Sequence, residues 1–455
     1  MKKRFHSDFV PAIGTLLLAV TGCSSERPSE KPNLILILAD DMGYSDLGCF
    51  GSEIRTPNLD RLAKQGLRMT QFYNASRSCP TRASLLTGLY QHQAGVGDMV
   101  SNLGYPSYQG YLNDKCATLA EALKIAGYNT YMSGKWHVGK REGVHPLDRG
   151  FDRFFGLIDG GGSYFRRIAY RPNNPVPLWT NEREEYWPPD SGFYLTDAIT
   201  DHALRFIEDG LKSTEPFFLY LAYTAPHWPL HALPEDIERY RGKYLSGWDE
   251  LRKERYNRML QMGIIDPSMK LSPRDERSPD WNTLSDEQKQ LWDLRMAVYA
   301  AMIDRMDQNI GRVVNNLAES GELDNTLIIF ISDNGGCHES TKNQAAFLKV
   351  TGETGTPDSF DAYEYPWANA SNTPFRMFKH WVHEGGISTP FIAFCPEMIK
   401  GGMVSSQTGH IIDIMPTLLD AAGGEYPEEI RGNDVPPMEG DRKSTRLNSS
   451  HVSQS

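Results

Sequence analysis

Residues 33–39, NLILILA, form an unbroken apolar run of strand length that stops abruptly at Asp40-Asp41 and Gly43. Such a strand has no polar face to offer water, so it must be covered on both sides. The pattern recurs at residues 128–133, 217–223, 327–331 and 391–394. Between these runs lie stretches of helical spacing: 117–126 closed by Gly127, 194–208, and 411–422,. In a longer one, Tyr299, Ile303, Met306, Ile310, Val313 and Leu317 recur alternately four and three apart, and Gly321 closes it,. Doubly buried strands alternating with amphipathic helices predict an α/β fold, a mostly parallel sheet with helices on both faces. No internal repeat is visible.

The chain has 455 residues, room for up to about three domains,. With 40% hydrophobic and 23% charged residues it is neither a disordered chain nor a coiled coil,. Lys and Arg number 47 against 58 Asp and Glu, for a net charge of -11. That balance argues against nucleic acid as a partner. Any positive charge that receives an anionic substrate must therefore be local. Two stretches break the strand–helix rhythm: 171–190, rich in Pro, Trp and Glu, and 236–290, long and charged. Such insertions are predicted to be loops or surface decoration, and candidates for shaping the mouth of a site.

Residues 1–22 read as a secretory signal, with Lys2, Lys3 and Arg4 ahead of a short apolar run,. The small residues before Cys23 are similar to a bacterial lipoprotein signal, with Cys23 as the lipidated terminus,. Residues 23–32 then form a lipidated tether. The expectation is an exported bacterial lipoprotein of the periplasm or outer membrane and cell surface, meeting the membrane only through its anchor. Of six cysteines, five remain once Cys23 is used, too scattered to require a disulfide framework,. At most one or two bridges are expected. Residues 441–455, DRKSTRLNSSHVSQS, look like translated adapter sequence and are set aside as an artefact.

Ligands of open α/β sheets bind beyond the carboxyl ends of the strands. Here those ends carry Asp40-Asp41, then Gly134-Lys135-Trp136-His137, then Ala225-Pro226-His227, then Asp333-Asn334-Gly335-Gly336. Acidic and amide oxygens in this number suit a hard cation, Ca²⁺ or Mg²⁺, better than zinc. A further string runs from Ser76 to Gly88, SRSCPTRASLLTG. Pro80 suits a first helical turn, so Ser78 should lie just before a helix N-terminus, where free N–H groups favour an anion. Arg82, one turn on, can bring its guanidinium to the same spot. A nucleophile at an anion hole beside a divalent cation suits transfer of sulfate or phosphate.

Ser78-x-Pro80-x-Arg82 followed by Leu86-Thr87-Gly88 resembles the signature of the sulfatases, a formylglycine-dependent branch of the alkaline phosphatase superfamily. The other strings, with Lys379 and Glu384-Gly385-Gly386, follow in the family's order, and the likeness spans about residues 31–424. HWVHEGGISTP and HIIDIMPTLLDAAG look most like the bacterial arylsulfatase branch. The resemblance implies a catalytic domain over 33–424 and a smaller C-terminal subdomain, of which 425–440 would be the start and the rest truncated. It implies a formylglycine made from Ser78 and a Ca²⁺ on Asp40, Asp41, Asp333, Asn334 and an oxygen of residue 78. Because the modified residue is Ser rather than Cys, a serine-accepting maturase of the radical type is implied as a partner.

Carried over residue by residue, the resemblance implies that the formylglycine hydrate attacks sulfur in line. Arg82, Lys135 and Lys379 would balance charge on the sulfuryl oxygens, and His227 and Lys379 would assist the leaving alcohol. His137 would draw the proton that lets sulfate depart. The implied substrate is an aryl or glycan sulfate ester. Two rivals stay open: a phosphodiesterase or phosphonate-ester hydrolase of the same superfamily, and a lipoprotein that binds sulfated glycans without cleaving them.

Overall fold

The computed structural model describes Met1 and residues 31–442. The expected signal sequence, the anchor at Cys23 and residues 443–455 lie outside the described residues. Ten strands make one sheet: β1 (Asn33–Ala39), β2 (Leu67–Tyr73), β3 (Asn129–Lys135), β4 (Arg153–Leu157), β5 (Trp179–Asn181), β6 (Glu184–Glu185), β7 (Phe217–Ala222), β8 (Thr326–Ser332), β9 (Ser388–Phe394) and β10 (Met403–His410). Their order is β10-β2-β9-β8-β1-β7-β3-β4-β5-β6. The central strands β8, β1, β7, β3 and β4 run parallel, and β9 and the β5-β6 hairpin enter antiparallel. The expected mostly parallel α/β sheet is thus found, with mixed edges.

Period-two geometry splits each central strand between two cores. Ile35, Ile37, Leu219, Leu221, Ile328 and Phe330 face one side, packed with α1 (Pro57–Gln65), α4 (Leu195–Gly210) and α7 (Asp286–Glu319). Leu34, Leu36, Leu38, Phe218, Tyr220 and Ile329 face the other, against α2 (Ser78–Thr87), α3 (Leu119–Ile125) and the helix Ile414–Ala421. A capping box opens α3, in which Thr118 and Glu121 exchange side-chain and backbone bonds,. Another opens α7, between Ser285 and Gln288. That cap places the start of α7 well before the apolar repeat that announces it.

The structure corrects the expectation for 236–290. Rather than surface decoration, the stretch contributes α5 (Pro234–Ile237), α6 (Trp248–Gln261) and the start of α7, with Tyr240, Tyr244, Trp248, Met259 and Trp281 buried in the first core. Strands β2 and β10 have no apolar run to announce them. In β2 buried and half-exposed residues alternate, and β10 is a largely exposed edge. The five described cysteines, Cys49, Cys79, Cys116, Cys337 and Cys395, are buried and unbridged. Residues 425–442 lie along the second core, where Glu439 N–H reaches the Gly88 carbonyl (3.0 Å) and Asp441 N–H reaches Asp413 Oδ1 (2.8 Å). Among the described residues no helix is long and apolar enough to cross a membrane.

Candidate active site

Strands β8, β1, β7 and β3 are neighbours and parallel, so their carboxyl ends emerge side by side. Ala39 pairs with Ser332, and both Leu38 and Gly134 pair with Ala222, so Asp40 and Asp333 leave the sheet at one level and Lys135 one residue before it. Beyond the strands the ladder continues. Asp40 N–H donates to the Ala225 carbonyl and Asp333 N–H to that of Ala39, each at 3.1 Å. Those bonds bring the loop bearing His227 to the same edge.

Helix α2 delivers the remaining groups from the second face. Ser78 is its first residue and Arg77 its N-cap, one position earlier than the sequence reading placed the boundary,. Arg82, one turn on and fully buried, donates from Nε to Ser78 Oγ (2.9 Å). Its Nη2 donates to Asp333 Oδ2 (2.9 Å) and its Nη1 to the Lys135 carbonyl (3.0 Å). Lys135 Nζ lies 2.5 Å from Asp40 Oδ2, and Lys379 Nζ 3.0 Å from Asp41. Asn334 Nδ2 donates to Asp41 Oδ1 (2.6 Å), and Asp41 N–H to Asp333 Oδ1 (3.1 Å). Every site residue named from the sequence is buried within this one cluster.

The charges decide what the cluster can hold. Burial pushes the Asp40 carboxyl well above its usual range, more than Lys135 can offset. Burial acts likewise on Asp333 and Asp41, but Arg82 holds the first low and Lys379 and His227 hold the second low. Asp40 Oδ1 and Asn334 Oδ1 are buried with no hydrogen-bond partner. Buried carboxylate and amide oxygens without donors are costly unless a cation meets them. The donor set of three carboxylates and one carboxamide is all oxygen and fits a hard divalent cation. His227 approaches the same place, within a group where single ligand atoms of Asp40, Asp41 and His227 lie within 4.8 Å of one another.

Both histidines are held in defined orientations. His227 Nδ1 faces the Trp228 carbonyl at 2.6 Å; a carbonyl only accepts, so Nδ1 carries the proton and Nε2 turns to Asp41 Oδ2 at 3.5 Å. Burial and the neighbouring Lys379 push its pKa down to about 4. His137 Nδ1 lies 3.4 Å from Ser78 Oγ, and its Nε2 lies 3.2 Å from Cys79 Sγ. Burial, then Lys135 and Arg82, hold it well below the usual histidine range, so it stays a neutral base,. A Cβ on Gly160 would come within 2.3 Å of this ring, so only glycine lets the chain pass so close. Asp41 and His137 both adopt left-handed backbone, φ 67° and 56°, which over-determined sites tolerate,.

Sequence reasoning missed Glu339, and in the outer wall it missed Tyr170 and Trp228. Glu339 accepts from Trp228 Nε1 (2.8 Å) and lies 3.3 Å from His380 Nε2 and 3.9 Å from Lys379 Nζ. Its one signal is its place three residues after Gly336. The site opens into a cavity of about 510 Å³ whose wall includes Tyr170, Arg171, Asn174 and Pro177. The 171–190 insertion therefore does shape the mouth, whereas 236–290 contributes no residue to it.

A buried hydroxyl at a helix N-terminus, set among fixed cations and a hard-cation donor set at the strand ends, defines a hydrolase of tetrahedral oxyanion esters. Comparison with known proteins makes this specific. The family model described as Sulfatase matches residues 32–424. An arylsulfatase of Klebsiella aerogenes is 38% identical, over 93% of this chain and 93% of its own. An uncharacterized sulfatase of Schizosaccharomyces pombe is 40% identical, over 90% of this chain and 79% of its own. The crystal structure of Ps i-CgsB in complex with k-i-k-neocarrahexaose superposes with a TM-score of 0.63 at 28% identity, over 89% and 75% of the two chains. The chain belongs to the sulfatase family, and it is a sulfuric ester hydrolase.

Proposed function

We propose that the chain cleaves sulfate esters through a formylglycine formed from Ser78, beside a Ca²⁺ held by Asp40, Asp41, Asp333, Asn334 and an oxygen of residue 78. The observation that carries this reading is the setting of Ser78 Oγ. It sits at the start of α2, bonded by Arg82 and 3.4 Å from His137 Nδ1, in a cavity also lined by Lys135, Lys379 and His227. The modified residue would supply a hydrated aldehyde, whose second hydroxyl lets sulfate leave without water attacking sulfur. The Ca²⁺ would supply fixed positive charge where the orphaned oxygens of Asp40 and Asn334 now point.

The chain's own groups do the rest. Arg82 fixes the oxygen of residue 78 and ties it to Asp333. Lys135 and Lys379 place ammonium charge against the sulfuryl oxygens, where low dielectric makes it effective. His227, with its Nδ1 proton committed to the Trp228 carbonyl, positions the leaving alcohol from Nε2, and the proton the departing oxygen takes comes from the Lys379 ammonium,. His137 Nδ1 takes the proton from the second hydroxyl at residue 78. Maturation by a serine-accepting enzyme before export, with lipidation at Cys23, completes the proposal. A sulfated glycan as natural substrate is supported by the oligosaccharide named with Ps i-CgsB.

Production with a serine-accepting maturase should yield a Ser78 peptide lighter by two hydrogens in mass spectrometry. The same preparation should turn over 4-nitrophenyl sulfate far faster than the matching phosphate monoester or diester. Ser78→Ala should lose about 10³-fold or more in kcat with the fold intact. An intact Ser78 in a fully active enzyme sinks the mechanism, and a preference for the phosphate diester replaces it.

A further inference from the structure

Once each ion pair of the cavity wall is matched, one cation among the described residues is left over. Five Lys or Arg side chains line it, Arg77, Lys135, Lys140, Arg171 and Lys379, against two carboxylates, Asp159 and Glu339. In a chain of net charge -11 that excess is local. Four of the five have a carboxylate at hand. Lys135 lies on Asp40, Lys379 on Asp41, Arg77 on Asp98 (2.5 Å) and Lys140 on Asp159 (3.0 Å). Arg171 has none within ion-pair distance among the described residues, and its guanidinium lies 5.5 Å from the centroid of the Tyr170 ring.

Arg171 ends a continuous wall that begins in the catalytic cluster. His227 is followed by Trp228, whose ring meets Tyr170 edge-on at 6.1 Å, and Tyr170 stacks on Phe360 at 5.6 Å. These aromatics form a small apolar cluster separate from the two main cores. The wall is anchored from behind. Asp159 Oδ2 accepts from Leu178 N–H (2.8 Å) and buried Arg167 donates to the Pro177 carbonyl (2.9 Å), fixing the segment that presents Arg171. The cavity side of such a cluster offers apolar contact to the C–H groups of a sugar, and an unpaired guanidinium beside it accepts an oxyanion. A cavity of about 510 Å³ lies in the range that encloses a small-molecule ligand rather than a lone sulfate,.

We infer that the wall of Trp228, Tyr170 and Arg171 is a subsite for a sugar that carries a second anionic group, sulfate or carboxylate, besides the ester cleaved. Resting on the sulfate-ester reading, it names the class of substrate and makes Arg171 its specificity residue. An aryl monosulfate uses the floor of the site and leaves Arg171 idle.

The test uses the matured, full-length enzyme with 4-nitrophenyl sulfate as reporter. Competing ligands come in matched pairs: sugar monosulfates at different ring positions, each beside its disulfate and beside a uronate-containing disaccharide with the same sulfate. At least one dianionic member should inhibit with a constant about tenfold below its monosulfate partner, the worth of one charge-assisted contact. Its gap should shrink as salt rises and close in Arg171→Gln, each constant being read against that variant's own reporter turnover. Whether the disulfate or the uronate shows the gap identifies the second anion. Equal constants within every pair, or a gap that survives Arg171→Gln, overturn the inference. Loss of reporter turnover in the wild type points instead to failure of the sulfate-ester reading.

Discussion

Residues 171–190 and 236–290 interrupt the strand–helix alternation in the same way, yet the structure puts them to opposite uses. The first adds the edge strands β5 and β6, buries only Trp179 of its large side chains in the first core, and ahead of them forms the cavity wall around Tyr170, Arg171 and Pro177. The second goes inside. Trp248 is fully buried and meets Trp281, Trp367 and Trp292 edge-on at 4.8, 5.4 and 5.6 Å. From α6, buried Arg255 reaches Asp46 (2.6 Å) and Glu53 (2.8 Å). Asp46 in turn accepts from Gly43 N–H (2.9 Å) and Tyr299 O–H (2.8 Å), just behind the Asp40-Asp41 pair. One insertion decides what enters the site, and the other braces its floor. Charge does not separate the two roles, and neither does aromatic content; what separates them is where the rings go, those of 236–290 packing on Trp292 and Trp367.

Breaking the brace should have the largest effect. Trp248→Ala empties the centre of the tryptophan cluster and should cost about 3–5 kcal/mol of stability. The preference among substrates should be unchanged in whatever fraction folds, as chemical denaturation and inhibition constants can show. A smaller loss should follow from Arg167→Ala in the wall. Arg167 donates to the Pro177 and Tyr186 carbonyls, pairs with Glu185 (2.7 Å) and lies 4.0 Å from the centroid of the Trp187 ring. Its removal orphans two carbonyls, worth about 2 kcal/mol, and the loss should be local. Limited proteolysis should find new cuts within 171–190 and none within 236–290. Cuts appearing first in 236–290 would mean that the two insertions are not independent.

This contrast also marks what could be read from the chain. The central sheet was legible because β1, β7 and β8 are doubly buried and write that burial as apolar runs. The floor of the site was legible for a related reason. Each polar string follows directly on such a run, so Asp40, Asp41, Lys135, His227, Asp333 and Asn334 were placed together by the parallel sheet itself. Strand β10 left no trace because its edge residues face water. The buried residues of α6, Trp248, Leu251, Arg252, Arg255 and Met259, mix apolar with charged types, so burial there leaves no apolar stripe. The stretch 171–190 was legible as a candidate for the mouth, but its aromatic partners were not, for a third reason. Tyr170 and Trp228 meet across the fold, and neither carries a local pattern that announces the other.

The smallest expected effect concerns pH and separates the footings of the two insertions. His202 of α4 lies flat on Phe155, ring centroids 3.7 Å apart, and Tyr186 of the first insertion meets the other side of that contact edge-on at 5.1 Å from Phe155. Burial, reinforced by Arg205, pushes the His202 pKa down to about 4 from its ordinary 6.5. Between those values the unfolded chain binds more protons at this residue than the folded one, so stability is lost as pH falls from 6.5 toward 4 and is flat above 6.5. His202→Phe keeps an aromatic ring on Phe155 but cannot titrate. Its melting temperature should therefore fall less than that of the wild type between pH 7.5 and 4.5, the difference between the two curves cancelling every other group. Hydrogen exchange at pH 5 should place the wild-type loosening in 171–190 while 236–290 stays protected, because α6 is held by the Arg255–Glu53 pair, in which Arg255 keeps its charge and holds Glu53 below the usual carboxylate range against burial,. Parallel melting curves for the two proteins would show that the wall does not stand on His202, and that both insertions answer to pH only through the common core.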